Sequence, residues 1–192
     1  MNSAANAQFH LFKERYEKLA GQVYLASNQL QAVKAVSAIT LESKISRVVL
    51  TPLFAGLDDR LSKHFTRSRL PVVALDNTGA MPVPHQINEA DLGITAAEFG
   101  IAETGTIVEV TTDDAHRLIS SLPRVHIAFL KASQIIDSIN DAAPLLRSVY
   151  RRHHRHCNIT FISGPSRTAD IEMKLFLGVH GPQESHVIVC DF

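Results

Sequence analysis

The sequence predicts an α/β fold, a three-layer α/β/α sandwich around a largely parallel sheet. Short apolar runs alternate with longer amphipathic stretches, the connections between them are short, and no internal repeat or low-complexity segment divides them. At 192 residues the chain supports one substantial core and not two comfortable ones. Residues 1–192 are therefore expected to form a single domain.

Residues 1–20 are expected to be a tail and an outer helix, because Phe9, Phe12, Tyr16 and Leu19 recur at helical spacing from Gln8 to Ala20. Gln22 to Ala26 reads as a strand, Asn28 to Ser43 as a helix and Arg47 to Thr51 as a strand closed by Pro52. Leu57 to Arg69 reads as a helix and Pro71 to Leu75 as the next strand. Ala90 to Ile94 is expected to be a short strand, with Thr95 capping a helix through Ile101. Thr106 to Thr111 and Val125 to Leu130 read as strands, and Ser133 to Arg152 contains a helix that Pro144 interrupts or restarts. Asn158 to Ile162 reads as a buried strand, and Ser185 to Val189 as the last one.

Charge and composition exclude several partners. Lys plus Arg equals Asp plus Glu, 19 against 19, so no overall field draws nucleic acid or an anionic membrane. No apolar stretch approaches the roughly 20 residues of a membrane span, and Met1 to Leu11 lacks the apolar run of a signal peptide, so the cytoplasm is the expected location. Cys157 and Cys190 form no paired ligand motif, so this chain alone cannot supply the thiolates of a zinc site or an iron–sulfur cluster. Cys190, in an apolar run, reads as a core residue. No dinucleotide fingerprint lies between a strand and a helix.

The run Arg147, Arg151, Arg152, His153, His154, Arg155, His156 suits an anion, RNA or an acidic partner surface, or is a solvated helix end. Its arginines repel a cation, and no metal site is expected. His126 and His186 alternate with apolar residues and read as structural histidines.

Chemistry concentrates in Ser163-Gly164-Pro165-Ser166-Arg167-Thr168-Ala169-Asp170-Ile171-Glu172 and in Gly178-Val179-His180-Gly181-Pro182. They follow the strand to Ile162 and so are expected at a strand's carboxyl end, where open α/β sheets place ligands. Gly164 and Pro165 make a turn, Ser166 or Thr168 can cap a following helix, and Asp170 and Glu172 complement that helix's positive end. Free N–H groups and the fork of Arg167 suit a carboxylate or phosphate, although a capped helix with acids in its first turn is also ordinary stabilising chemistry. His180, between two glycines, can aim into a pocket as donor or base. A second turn, flanked by Glu98 and Glu103, presents Glu103 and Thr104. Glu103 either acts as nucleophile or general base, or holds its turn by accepting backbone hydrogen bonds.

GPSRTADIE followed by LGVHGP, with Ala102-Glu103-Thr104-Gly105-Thr106-Ile107 and Leu122-Pro123-Arg124-Val125-His126-Ile127 upstream, resembles the lactate utilisation protein C (LutC) family with its LUD domain. The resemblance covers Asp91 to Phe192. It implies a fold related to sugar-phosphate isomerases and CoA transferases (NagB/RpiA/CoA-transferase-like). It also implies a non-redox subunit of a multicomponent system that oxidises L-lactate to pyruvate, with iron–sulfur clusters in partner proteins and no cofactor on this chain. Ser166, Arg167, Thr168, Asp170 and Glu172 would then bind a small carboxylate or phosphate ligand, with Glu103 and His180 as catalytic candidates. Two alternatives stand beside this: an autonomous CoA-transferase- or ligase-like enzyme using Glu103, and a regulatory binding module using the basic run.

Overall fold

The computed structural model describes residues 3–75, 83–153, 156–169, 175–177 and 180–192. Helix α1 (Ser3–Lys18) buries Phe9, Phe12 and Tyr16, the stripe that helical spacing requires. Strand β1 (Gln22–Ala26) leads into α2 (Gln29–Glu42), where the Asn28 side chain accepts a hydrogen bond from the Gln31 N–H and closes the first turn. Then come β2 (Val48–Leu50), α3 (Leu57–Arg67), α4 (Val83–Asn88) and β3 (Leu92–Ala96). The chain continues through β4 (Phe99–Ile101), β5 (Thr106–Thr111), α5 (Asp114–Ile119), β6 (Val125–Lys131) and β7 (Ile135–Ile136). It ends with α6 (Ala142–His153), β8 (Asn158–Ile162), β9 (Arg167–Ala169), β10 (Leu175–Leu177) and β11 (Glu184–Cys190).

A five-stranded sheet in the order β1-β11-β6-β3-β2 forms the centre, and every pairing in it is parallel. Its strands carry apolar side chains on both faces, as a sheet covered on both sides must. Ile127, Phe129, Ile188 and Ile94 pack against Val36, Ile39, Leu61 and Phe65 of α2 and α3. Ala128, Leu130, Val187 and Val189 pack on the opposite side against Phe12 and Tyr16 of α1 and Ile107 of β5. The mixed α/β class with a parallel central sheet and flanking helices is thus the one expected.

On the α1 side the covering layer is partly a second sheet, in the order β7-β4-β5-β8. Its inner face meets the parallel sheet, while Phe99, Ile101 and Val108 on its outer face pack against Ala142 of α6. No helix of the described residues is long and apolar enough to cross a membrane.

Four local expectations change. Thr95 does not cap a helix: it is buried in β3 with its hydroxyl bonded to other side chains, and Phe99–Ile101 is a strand whose residues are all buried. Pro71 to Leu75 is reduced to one isolated bridge between Val48 and Val72. Pro144 does not interrupt its helix but lies in the first turn of α6, where a missing N–H costs nothing. Finally, Arg167–Ala169, expected to open a helix, is a strand that pairs antiparallel with Leu175–Leu177.

Candidate functional site

At the carboxyl ends of β2, β3 and β6 the chain opens a cleft of about 360 Å³. This is the end of a parallel sheet at which ligands bind, because loops there diverge between strand and helix. Thr51 and Pro52 line it after β2, Thr95 and Glu98 at the end of β3, and Lys131 and Gln134 after β6. Glu109 enters from β5, while His116 and His153 complete the rim.

The floor of the cleft is a buried polar constellation. Thr95 donates its hydroxyl hydrogen to Glu109, and His126 Nε2 lies 2.8 Å from the Thr95 oxygen. The same Nε2 is 3.3 Å from Glu109 Oε1, and both side chains are almost wholly buried. With the Thr95 proton committed to Glu109, the hydrogen shared between Thr95 and His126 resides on Nε2. His126 Nδ1 is buried without a hydrogen-bond partner among the described residues.

Burial alone pushes the Glu109 carboxyl up. Hydrogen bonds from His126, Thr95 and Ser120, with the electrostatic pull of His126, outweigh it and hold the pKa below the ordinary 4.5. An ionised carboxylate is therefore fixed beside a hydroxyl at the base of the cleft. Above it the Lys131 ammonium sits 4.9 Å from the centre of the Phe54 ring, and it pairs with no carboxylate among the described residues. Glu98 is neutralised by Arg152. The arrangement offers one available cation for a ligand carboxylate and fixed acceptors for its hydroxyl.

The residues singled out from sequence lie elsewhere. Asn158–Ile162 is not a buried strand of the parallel sheet but a half-buried outer strand of the second sheet, with Phe161 exposed. It runs antiparallel to β5, so its carboxyl end falls beside the segments that enter β6 and β11, outside the cleft. There Ser163, Gly164, Pro165 and Ser166 meet His180, Gly181 and Pro182 around a crevice of about 430 Å³, which Arg117, Ser120 and Ser121 also line. The Ser166 N–H donates to the Pro182 carbonyl at 2.9 Å and holds the two loops together.

Ser166 and His180 thus share one crevice. Arg167 does not line it: its guanidinium is exposed and donates to the Leu19 carbonyl just past α1. Thr168 contributes its backbone to β9, opposite Phe176. Asp170 and Glu172 lie outside the described residues, as do His154 and Arg155 of the basic run.

The two motif turns adjoin. Thr104 Oγ1 lies 2.7 Å from Thr106 Oγ1, which lies 2.8 Å from Ser163 Oγ. Gly105 and Gly164, at φ +60 and +86, pass so close to the end of α1 that a Cβ would come within 2.4 Å of the Tyr16 nitrogen or 2.5 Å of the Leu19 oxygen. Glu103 nevertheless faces away from the crevice and accepts the Ile139 N–H at 3.2 Å. His186 is buried, with Nε2 3.4 Å from Glu184 and Nδ1 unpartnered among the described residues. Desolvation lowers its pKa below 6.5. Cys190 is a core thiol that burial pushes up to about 12.

Sequence reading missed Glu109, His126 and Lys131 as site residues. One signal was available: Glu109 interrupts the otherwise apolar run Ile107-Val108-Glu109-Val110, and an acid in the middle of such a strand requires a buried partner.

Comparison with known proteins agrees with this fold. The LUD domain matches residues 9–190, so the chain belongs to the LUD-domain family. Within it, the chain is similar to lactate utilization protein C of Halalkalibacterium halodurans, 36% identical over 205 residues that cover 96% of this chain and 84% of that protein. Lactate utilization protein C of Bacillus subtilis is 33% identical over 138 residues, 71% of this chain and 58% of that protein. The protein of the same name from Shouchella clausii is 38% identical over 122 residues, 63% of this chain and 53% of that protein. The match thus spans little more than half the length of these last two relatives. Among solved structures, a DUF162 family protein from Deinococcus radiodurans has the same fold, with a TM-score of 0.65 at 20% identity, covering 97% of this chain and 98% of that one.

Proposed function

We propose that this chain works in lactate utilisation, as the non-redox component of a cytoplasmic system that oxidises L-lactate to pyruvate with iron–sulfur proteins as partners. The observation that carries the reading is the similarity to lactate utilization protein C over 96% of the chain. The cleft geometry supports a small carboxylate as the ligand. Lys131 takes the carboxylate, while the Thr95 and Glu109 pair accepts the hydrogen bond of the 2-hydroxyl group. The redox step belongs to the partners, since Cys157 and Cys190 are the only cysteines of the chain and are too few for a four-thiolate cluster.

The test is capture of the tagged chain from lactate-grown cells of its host, with lactate-dependent dye reduction assayed on the eluate. Co-purified iron–sulfur proteins with that activity are expected, and Lys131→Met is expected to lower it at least about tenfold, a loss of about 1.4 kcal/mol of ligand stabilisation. A partnerless eluate without lactate-dependent reduction would sink the subunit reading.

A further inference from the structure

A third concave site lies outside both regions described so far, in the groove of about 620 Å³ between α2 and α3. Its α3 wall carries Arg60, Lys63 and Arg67. Spaced three and four residues apart, they share one helix face, and at 1.5 Å per residue they span roughly 10 Å of it. The arginines ion-paired among the described residues are Arg47, Arg117, Arg124 and Arg152, so none of the three groove cations is neutralised in that set. Asp59 is the acidic residue of the lining, and His64 adds a titratable base.

The facing wall is apolar. Leu30 and Val33 of α2 form it, and Leu30 is 59% exposed beside the row of cations. Both helices begin at this end, with Gln29 and Leu30 of the first turn of α2 and Gly56 at the cap of α3 among the lining residues. The positive end of the α2 dipole thus adds to the side-chain charge, while Asp58 and Asp59 in the first turn of α3 offset that helix's own. Gly56 has φ +68, and a Cβ there would meet nothing within 4 Å, so the backbone borders open space.

Three cations over roughly 10 Å exceed what a single carboxylate can use and match the oxygens of a diphosphate or triphosphate chain. An apolar wall opposite suits a flat ring, and the volume falls in the range of roughly 300–1,000 Å³ typical of small-molecule sites. We propose that this groove binds a nucleoside polyphosphate, with its phosphates on Arg60, Lys63 and Arg67 and its base against Leu30 and Val33. The groove borders the carboxyl-end cleft through one loop. Phe54 of that loop lies beneath Lys131 in the cleft, whereas the next residues, Ala55 and Gly56, line the groove. The Gln29 side chain donates to the Ala55 carbonyl and ties α2 to the same loop.

Calorimetric titration of the full chain with ADP and with inorganic pyrophosphate tests this independently of the lactate reading. Saturable binding of both is expected, ADP the tighter. Arg60→Gln with Arg67→Gln should weaken both at least tenfold, Leu30→Ser should weaken ADP alone, and Lys131→Met should leave both unchanged. Leu30, Arg60 and Arg67 are exposed, so their variants leave the unfolding midpoint in place, and folding of every variant is checked in the same samples. Several results overturn the proposal: no binding by the unaltered chain, binding that the double arginine variant retains, binding lost in Lys131→Met, or binding of a polyglutamate peptide in place of ADP.

Discussion

The cleft and the crevice are separate openings that approach each other at Ser120, which lines the crevice and hydrogen-bonds Glu109 of the cleft, and they are built on different principles. In the cleft, Thr95, Glu109 and His126 project from β3, β5 and β6 and meet between two sheets, where packing leaves each side chain one position. In the crevice, Ser163, Ser166 and His180 come from loops, and His180 is exposed. The difference teaches where charge can be held ready. A carboxylate fixed by buried donors keeps its orientation without reorganising when a ligand arrives, whereas loop hydroxyls adapt to whatever enters. The same rigidity makes the cleft costly to disturb.

The comparison breaks most visibly at His126. Changing His126→Leu leaves Glu109 buried without its imidazole, and about 3–5 kcal/mol of unfolding free energy should be lost in urea titration. A loss near zero would mean that the pair contributes nothing to the fold. Glu109→Gln keeps the volume and an acceptor for Thr95, so a smaller cost of about 1–3 kcal/mol is expected.

That variant also sharpens the pH behaviour. The Glu109 pKa is depressed in the folded chain, so unfolded chains take up the proton first as pH falls through 4.5. The stability that Glu109 contributes is full above that value and drains away as pH falls toward its lower folded pKa. Melting temperatures from pH 6 to 3 should therefore decline less steeply in Glu109→Gln than in the unaltered chain. His186 acts one step higher: burial keeps it neutral, and its contribution is full above 6.5 and is lost as pH falls toward its lower folded pKa, so His186→Phe should flatten the curve below pH 6.5.

Substitutions in the crevice should change stability far less. Ser166→Ala and His180→Ala are expected within about ±0.5 kcal/mol of the unaltered chain. If lactate-dependent activity falls with them and survives Lys131→Met, the crevice and not the cleft is the working site. Arg167→Ala should have the smallest effect, because an exposed guanidinium on the Leu19 carbonyl exchanges one hydrogen bond for another with water. Unchanged activity in that variant removes Arg167 from the site.

Local periodicity made much of this architecture legible. Phe9, Phe12 and Tyr16 in α1, and Leu57, Leu61 and Phe65 in α3, bury as their spacing requires. Turn chemistry was legible too, since Gly164, read with Pro165 as a turn, has a positive φ. What followed the turn was not, because a three-residue strand is decided by its partner, here Leu175–Leu177, and not by its own propensity. Glu109 and His126 illustrate the same limit at longer range. They are 17 positions apart, on strands of different sheets, and only the stacking of those sheets makes them neighbours.

The parallel pairing of β1 with β11 has a consequence for how the chain reaches this state. Residues 22–26 find their place only against residues 186–190, and β11 separates them from β6. A nascent chain that has extruded everything up to β10 therefore still carries β1 without its neighbour and an uncovered edge on β6. Closure of the central sheet waits on β11, so folding is expected to be slow and dependent on protection of that edge from other chains.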